Sequence, residues 1–141
     1  INQERLLRTH IKLAKQLNKK LEEKKVIEKT MVHFNSDYQK DNLSIKIYSL
    51  LFIRAANNYI EIFWKENNFV KNHIIRMNLI KAEELLKKFT FIFKCHRSYI
   101  INIHHINKIE GNSQGYKLYF ENTDIQIPVA KSKISKLNSL I

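Results

Sequence analysis

The chain has 141 residues, 44% of them hydrophobic, enough for one core of ordinary size with little left for a second. Lys and Arg number 25 against 13 Asp and Glu, a net charge of +12, and a field of that sign draws polyanions such as nucleic acid and anionic lipid headgroups. Two Gly, one Pro and one Cys argue against low-complexity linkers and a Gly-rich phosphate loop, and exclude an intrachain disulfide or a multi-Cys zinc site.

Residues 3–29, "QERLLRTHIKLAKQLNKKLEEKKVIEK", lack Gly and Pro and space Leu7, Ile11, Ala14, Leu17 and Leu21 by threes and fours, which predicts an amphipathic helix. Leu7, Ala14 and Leu21 recur every seven residues, compatible with a coiled-coil seam. A helix that packs on its own domain, or continues an upstream element, has the same pattern. We therefore read 1–32 as a basic amphipathic helix, either linker or dimerisation stalk. "HFNSDYQKDN", 33–42, carries turn residues without an apolar period and is expected to be a linker.

From Leu43 the period becomes two. Strands are expected over Leu43–Ile47, through "SLLFIRA", and over Tyr59–Trp64, with "KENN" at 65–68 a hairpin turn into Phe69–Met77. Asn78 offers an N-cap to a short helix with Leu79, Ala82, Leu85, Leu86 and Phe89 on one face. Phe91, Phe93 and Cys95 then alternate with Ile92, Lys94 and His96, and a strand-like run continues to Ile106. "EGNSQG", 110–115, reads as a turn before Tyr116–Phe120, followed by a strand with Ile125, Ile127 and Val129 on one side and a terminal helical turn. The expected fold is mainly β (α+β): an antiparallel β-sheet domain over 43–141 with one internal helix, preceded by the long helix.

Adjacent strand residues face opposite sides of a sheet, so Cys95-His96 and His104-His105 are split apart and offer neither a metal site nor a Cys/His nucleophile pair. Cys95 is in register with Phe91 and Phe93, where a small buried hydrophobe is expected. Glu83-Glu84 lie on a helix surface, and Glu121 and Asp124 flank a turn. No catalytic residue, metal site or cofactor is expected. Reading a duplex needs basic and amide side chains on a stiff scaffold. Asn57-Asn58-Tyr59, His96-Arg97-Ser98 and Lys131-Ser132-Lys133 are three such clusters, and Lys94 lies beside the second.

"FKCHRSYIINIHHINKIE", then "IQIPVAKSKISKL", together with the earlier "LLFIRAANNYIEI", resemble three blocks of the LytTR family of bacterial DNA-binding domains, in the same order. The resemblance spans 43–141. It implies an elongated antiparallel β fold whose loops enter successive major grooves, and a role as output domain of a transcription regulator, as in two-component response regulators. It places base-reading residues at Asn58 or Tyr59, Arg97 and Lys131. Ala130-Lys131 stands where the family usually has Ser-Arg, losing a hydroxyl and replacing a planar bidentate donor by a point charge. Arg54 replaces a common Glu. Asn57 replaces a common Gly, and Asn tolerates positive φ.

The implied partners are double-stranded DNA with repeated half-sites and a second copy of the chain. The chain opens on Ile1 rather than Met and reads as part of something longer, with a receiver or transmembrane region upstream. A single Cys fits a reducing compartment such as bacterial cytoplasm, and no apolar run reaches the roughly 18 residues of a membrane span; a cytoplasmic location is expected, or tethering to the inner membrane face through that upstream region. The alternative is a helix-mediated interaction module whose basic face binds anionic membrane or an acidic partner. An OB-type single-strand RNA binder stacking bases on Tyr59, Phe63 or Tyr119 is a third, weaker reading.

Overall fold

The computed structural model describes residues 2–36 and 41–141. Helix α1 spans Asn2–Lys29. Strands β1 (Met31–Asn35) and β2 (Asn42–Lys46) form an antiparallel pair. A meander of β3 (Leu50–Ala56), β4 (Tyr59–Glu66) and β5 (Phe69–Arg76) follows, then α2 (Leu79–Leu86). Beyond α2 come β6 (Ile92–His96), β7 (Tyr99–Asn102), β8 (Ile106–Asn112), β9 (Gly115–Phe120), β10 (Gln126–Val129) and α3 (Ile134–Leu140).

Five strands build the central sheet in the order β5-β4-β3-β7-β6, and β10-β9-β8 form a smaller one. Every pairing is antiparallel. The central sheet is the middle layer of three. Alternation along β3 and β4 sends Ile53, Ile60 and Ile62 to one face, where they meet Phe34 and Ile45 of the β1–β2 hairpin and Leu79, Ala82 and Leu86 of α2. Phe52 and Phe63 go to the other face and meet Leu118 and Phe120 of β9, Ile127 and Val129 of β10, and Leu137 of α3. The single core that chain length implied is therefore two apolar clusters sharing one sheet. Each fully buried side chain of this size contributes about 1.5–3 kcal/mol, so both faces are needed to hold the sheet flat-on between its covers.

The local signals act as their chemistry requires. Asn67 and Asn68 have φ of 51° and 67°, both positive as a two-residue type I′ hairpin turn demands. The Asn78 side chain accepts a hydrogen bond from the Lys81 amide at 2.7 Å, capping α2. Buried Asn102 is satisfied at both ends of its amide. It donates to the Tyr48 carbonyl and accepts from the His104 amide, so it fixes the 3₁₀ turn at Ile103–His105.

Two expectations are corrected. Part of the span read as linker, 33–42, is strand: His33–Asn35 continue β1 and pair with Asn42–Ser44 of β2, with Val32 and Phe34 buried. Two apolar residues are too short a period to stand out among turn-formers. The linker positions 37–40 lie outside the described residues. The run from Phe91 to Ile106 is not one strand either, because it reverses at Arg97-Ser98 and turns again at 103–105. At the C-terminus, the expected helical turn is present and extends to a seven-residue helix.

Helix α1 buries none of its 28 residues. Its C-terminal part meets the domain: Ile27 packs on the α2-side cluster, Lys20, Glu23 and Lys24 border a cavity with Tyr48, Phe91 and His104, and the Thr30 carbonyl just beyond accepts from the Ile47 amide at 2.9 Å. Among the described residues no helix is long and apolar enough to cross a membrane.

Candidate nucleic-acid interface

The three polar clusters lie far apart in sequence and are carried to one end of the central sheet by its strand order. β3 lies beside β7 as well as β4, so the turn after β3 and the turn before β7 are neighbours. The Ala55 amide donates to the Ser98 carbonyl at 2.8 Å, tying Asn57-Asn58 to Arg97-Ser98. The third cluster is attached from the other side, because the Ala130 amide donates to the Cys95 carbonyl at 2.9 Å. Lys131–Lys133 form a 3₁₀ turn there, directly after β10.

Each turn has a local cause. Asn57 takes φ of 58°, the left-handed conformation that Asn tolerates better than most residues because its short side chain hydrogen-bonds locally. In the Arg97-Ser98 turn, His96 Nδ1 accepts from the Ser98 amide at 3.1 Å, and the His96 ring meets Tyr99 edge-on at 5.6 Å. One nitrogen of His96 thus braces the turn. Arg97 at the tip is exposed, as are Asn57, Asn58, Lys131, Ser132 and Lys133. Ala130 and Lys133 provide no side-chain cap to the 3₁₀ turn or to α3, the structural result of lacking a hydroxyl at 130.

Lys94 stands apart from this group. Its ammonium is drawn toward α2, 3.9 Å from Glu83, into a groove that Lys133 also lines. Tyr59 begins β4 and is 43% exposed, with the Arg76 guanidinium over its ring at 5.8 Å. Arg76 was missed by inspection of the sequence. The two-residue turn at Asn67-Asn68 sets the β4–β5 register, which places Arg76 opposite Tyr59, so the signal was present once that turn is accepted.

Also missed was how the chain accommodates Arg54. It lies across β3–β4 from Glu61, its Nε and Nη2 both donating to Glu61 Oε1 at 2.7 Å. Asn72 of β5 donates to Glu61 Oε2 at 2.7 Å. The guanidinium also lies 5.1 Å over the Phe63 ring. Three neighbouring strands are thereby pinned just behind the Asn57 turn.

Cys95 and His96 diverge. The Cys95 thiol is buried against the Pro128 carbonyl, and burial pushes its pKa up to about 12, which keeps it a protonated, inert thiol at neutral pH. Among the described residues no three His, Cys, Asp or Glu side chains are grouped so as to hold a metal ion.

A layered antiparallel β domain with three polar turns gathered at one sheet end is the class that fold and site define. The family model of the LytTr DNA-binding domain matches residues 40–141, and the chain belongs to that family. Among solved structures, the LytTr DNA-binding domain of a Bacillus cereus protein described as a methyl-accepting/DNA response regulator has the same fold. Its TM-score is 0.57 at 19% identity, over 79% of this chain and 96% of the other. None of the curated proteins compared with the chain matches it.

Proposed function

We propose that this domain reads double-stranded DNA in a sequence-specific manner, as the output module of a transcription regulator. The turns at Asn57-Asn58, Arg97-Ser98 and Lys131–Lys133 enter successive major grooves, and two copies occupy repeated half-sites. The observation that carries this reading is the convergence of three polar turns, unrelated in sequence, at one end of a stiff sheet. Loops held by a rigid scaffold are where recognition is commonly placed. Membership of the LytTr DNA-binding family supports the partner class.

Within this reading the residues divide by chemistry. Arg97, planar and exposed, suits bidentate recognition of guanine O6 and N7, and Asn58 suits adenine N6 and N7. Lys131 and Lys133 act as point charges on phosphate or on a base edge. His96 and the Ser98 backbone hold the second turn in shape and reach the duplex little. Lys94, tethered to Glu83, contributes to the field.

The test is selection of bound sites from random duplex at about 150 mM salt, followed by competition with unrelated duplex. The expected result is a motif repeated about one helical turn apart and bound at least about a thousandfold tighter than unrelated DNA. Failure to enrich any motif, with binding lost at moderate salt, would reduce the interaction to the +12 charge and remove the proposal.

A further inference from the structure

Helix α1 presents an apolar stripe that none of the described residues covers. Leu7, Ile11, Leu17 and Leu21 are 62, 49, 51 and 55% exposed, and no residue of the helix is buried. A helix in water derives most of its stability from packing an amphipathic face, and isolated helices are marginal. The stripe runs over Leu7–Leu21 and stays exposed along its length, while the domain is met by the stretch from Lys20 to Glu28, with Ile27 the apolar residue packed on it. The domain therefore cannot be the surface that this face was shaped for.

We propose that α1 pairs with α1 of a second copy as a short parallel two-stranded coiled coil. Leu7, Ala14 and Leu21 occupy one seam position, and Ile11 and Asn18 fall at the other by alternating steps of four and three. Ile at one seam position with Leu at the other favours two strands in parallel, and a single Asn in the seam fixes register and oligomeric state. A specific interface needs at least about 1,000 Å² buried in total, and the stripe on both copies is the exposed apolar surface placed to supply it. Leu6 and Leu13 lie outside this seam. The connection to the domain is short and packed, through Ile27 and the Thr30–Ile47 hydrogen bond, so pairing of the helices fixes the separation of two reading ends. This deepens the proposed function by naming the surface that makes the paired reader, and it rests on that reading for its purpose alone.

The charges supply a signature. Arg8, Lys15, Lys24 and Lys29 border the seam against one carboxylate, Glu22, with Lys24 facing Lys29 of the second copy, so the net like charge of two such helices repels. Salt screens that repulsion, with a Debye length of about 10 Å at 0.1 M falling to about 3 Å at 1 M. Self-association therefore tightens as salt rises. Docking of the same basic helix on anionic lipid or on DNA would weaken.

The experiment is sedimentation of the whole chain without DNA at roughly 0.1 and 0.5 M salt, beside the variants Leu7→Ser/Leu21→Ser and Leu6→Ser/Leu13→Ser. None of these positions is buried, so the domain folds in all of them. The expected result is a dimer that tightens several-fold at the higher salt. The seam variant should weaken it about 100-fold, and the off-seam variant should change it by less than about threefold. A monomer at both salts, a species larger than two, or equal losses in both variants would overturn the proposal. So would a monomer that binds vesicles containing anionic lipid through Leu7 and Leu21, which would assign the stripe to a membrane surface. Binding to a duplex carrying one half-site is independent of all these outcomes, so loss of operator reading is separable from loss of pairing.

Discussion

Where β4 turns into β5, at one end of the central sheet, the lysine beside the turn is paired with a carboxylate. Lys65 lies 3.8 Å from Glu121, and the Asn122 amide donates to the Asn68 carbonyl across the same corner. At the opposite end Arg97, Lys131 and Lys133 are exposed, and among the described residues none of them has a carboxylate within ion-pair distance. Of the arginines close behind that end, Arg54 is held by Glu61 and Asn72 and Arg76 lies over the Tyr59 ring. A net charge of +12 says only that the whole molecule attracts polyanions. The contrast between the ends locates exposed cations that have no carboxylate at ion-pair distance among the described residues, in front of a backbone that is locked.

That contrast depends first on the sheet that separates the two ends. Phe52 is fully buried, stacked on Phe63 at 4.5 Å and against Phe120 at 5.2 Å. Phe52→Ala should cost about 3–5 kcal/mol in denaturant unfolding. Such a loss would erase DNA binding at temperatures where the variant is unfolded; an unchanged midpoint would mean the two layers do not rely on each other. A paired comparison comes next. Lys131→Ala should weaken duplex binding by about 1 kcal/mol and lower the salt slope by about one. Lys65→Ala, at the β4–β5 end, should leave affinity within about twofold, since an exposed ion pair is worth little. Equal losses in titrations of the two variants would show that position on the sheet is irrelevant. The smallest effect is a gain. Ala130→Ser restores a side-chain acceptor at the uncapped turn before α3 and should raise stability by about 0.5–1 kcal/mol, read as a shift of the unfolding midpoint.

Much of this frame is legible in the residues. The α1 period, the Asn78 cap, the Asn67-Asn68 turn and the burial of Cys95 all follow from local chemistry that depends on few neighbours. β1 is not legible, because Val32 and Phe34 alone mark it among turn-formers. The division of the core into two clusters is also hidden: it arises when β3, with apolar residues on both faces, becomes the middle of the sheet. The polar turns of the site were visible one at a time. Their meeting was not, because it depends on β3 lying beside β7 across α2 and β6, a non-local pairing that leaves no periodicity. The Arg54–Glu61–Asn72 network and the Arg76–Tyr59 contact were hidden for the same reason. Each needs a cross-strand register before two ordinary surface residues become partners.

The most direct test of the central claim is a base-by-base affinity profile of the selected operator with the wild-type chain and with Arg97→Ala. An exposed Arg at the tip of a braced turn predicts a loss of about 1–3 kcal/mol, with discrimination relaxed at one base position and retained elsewhere. A uniform loss across all sequences would make Arg97 a phosphate contact, and no loss at all would contradict the assignment of this end of the sheet as the reading surface.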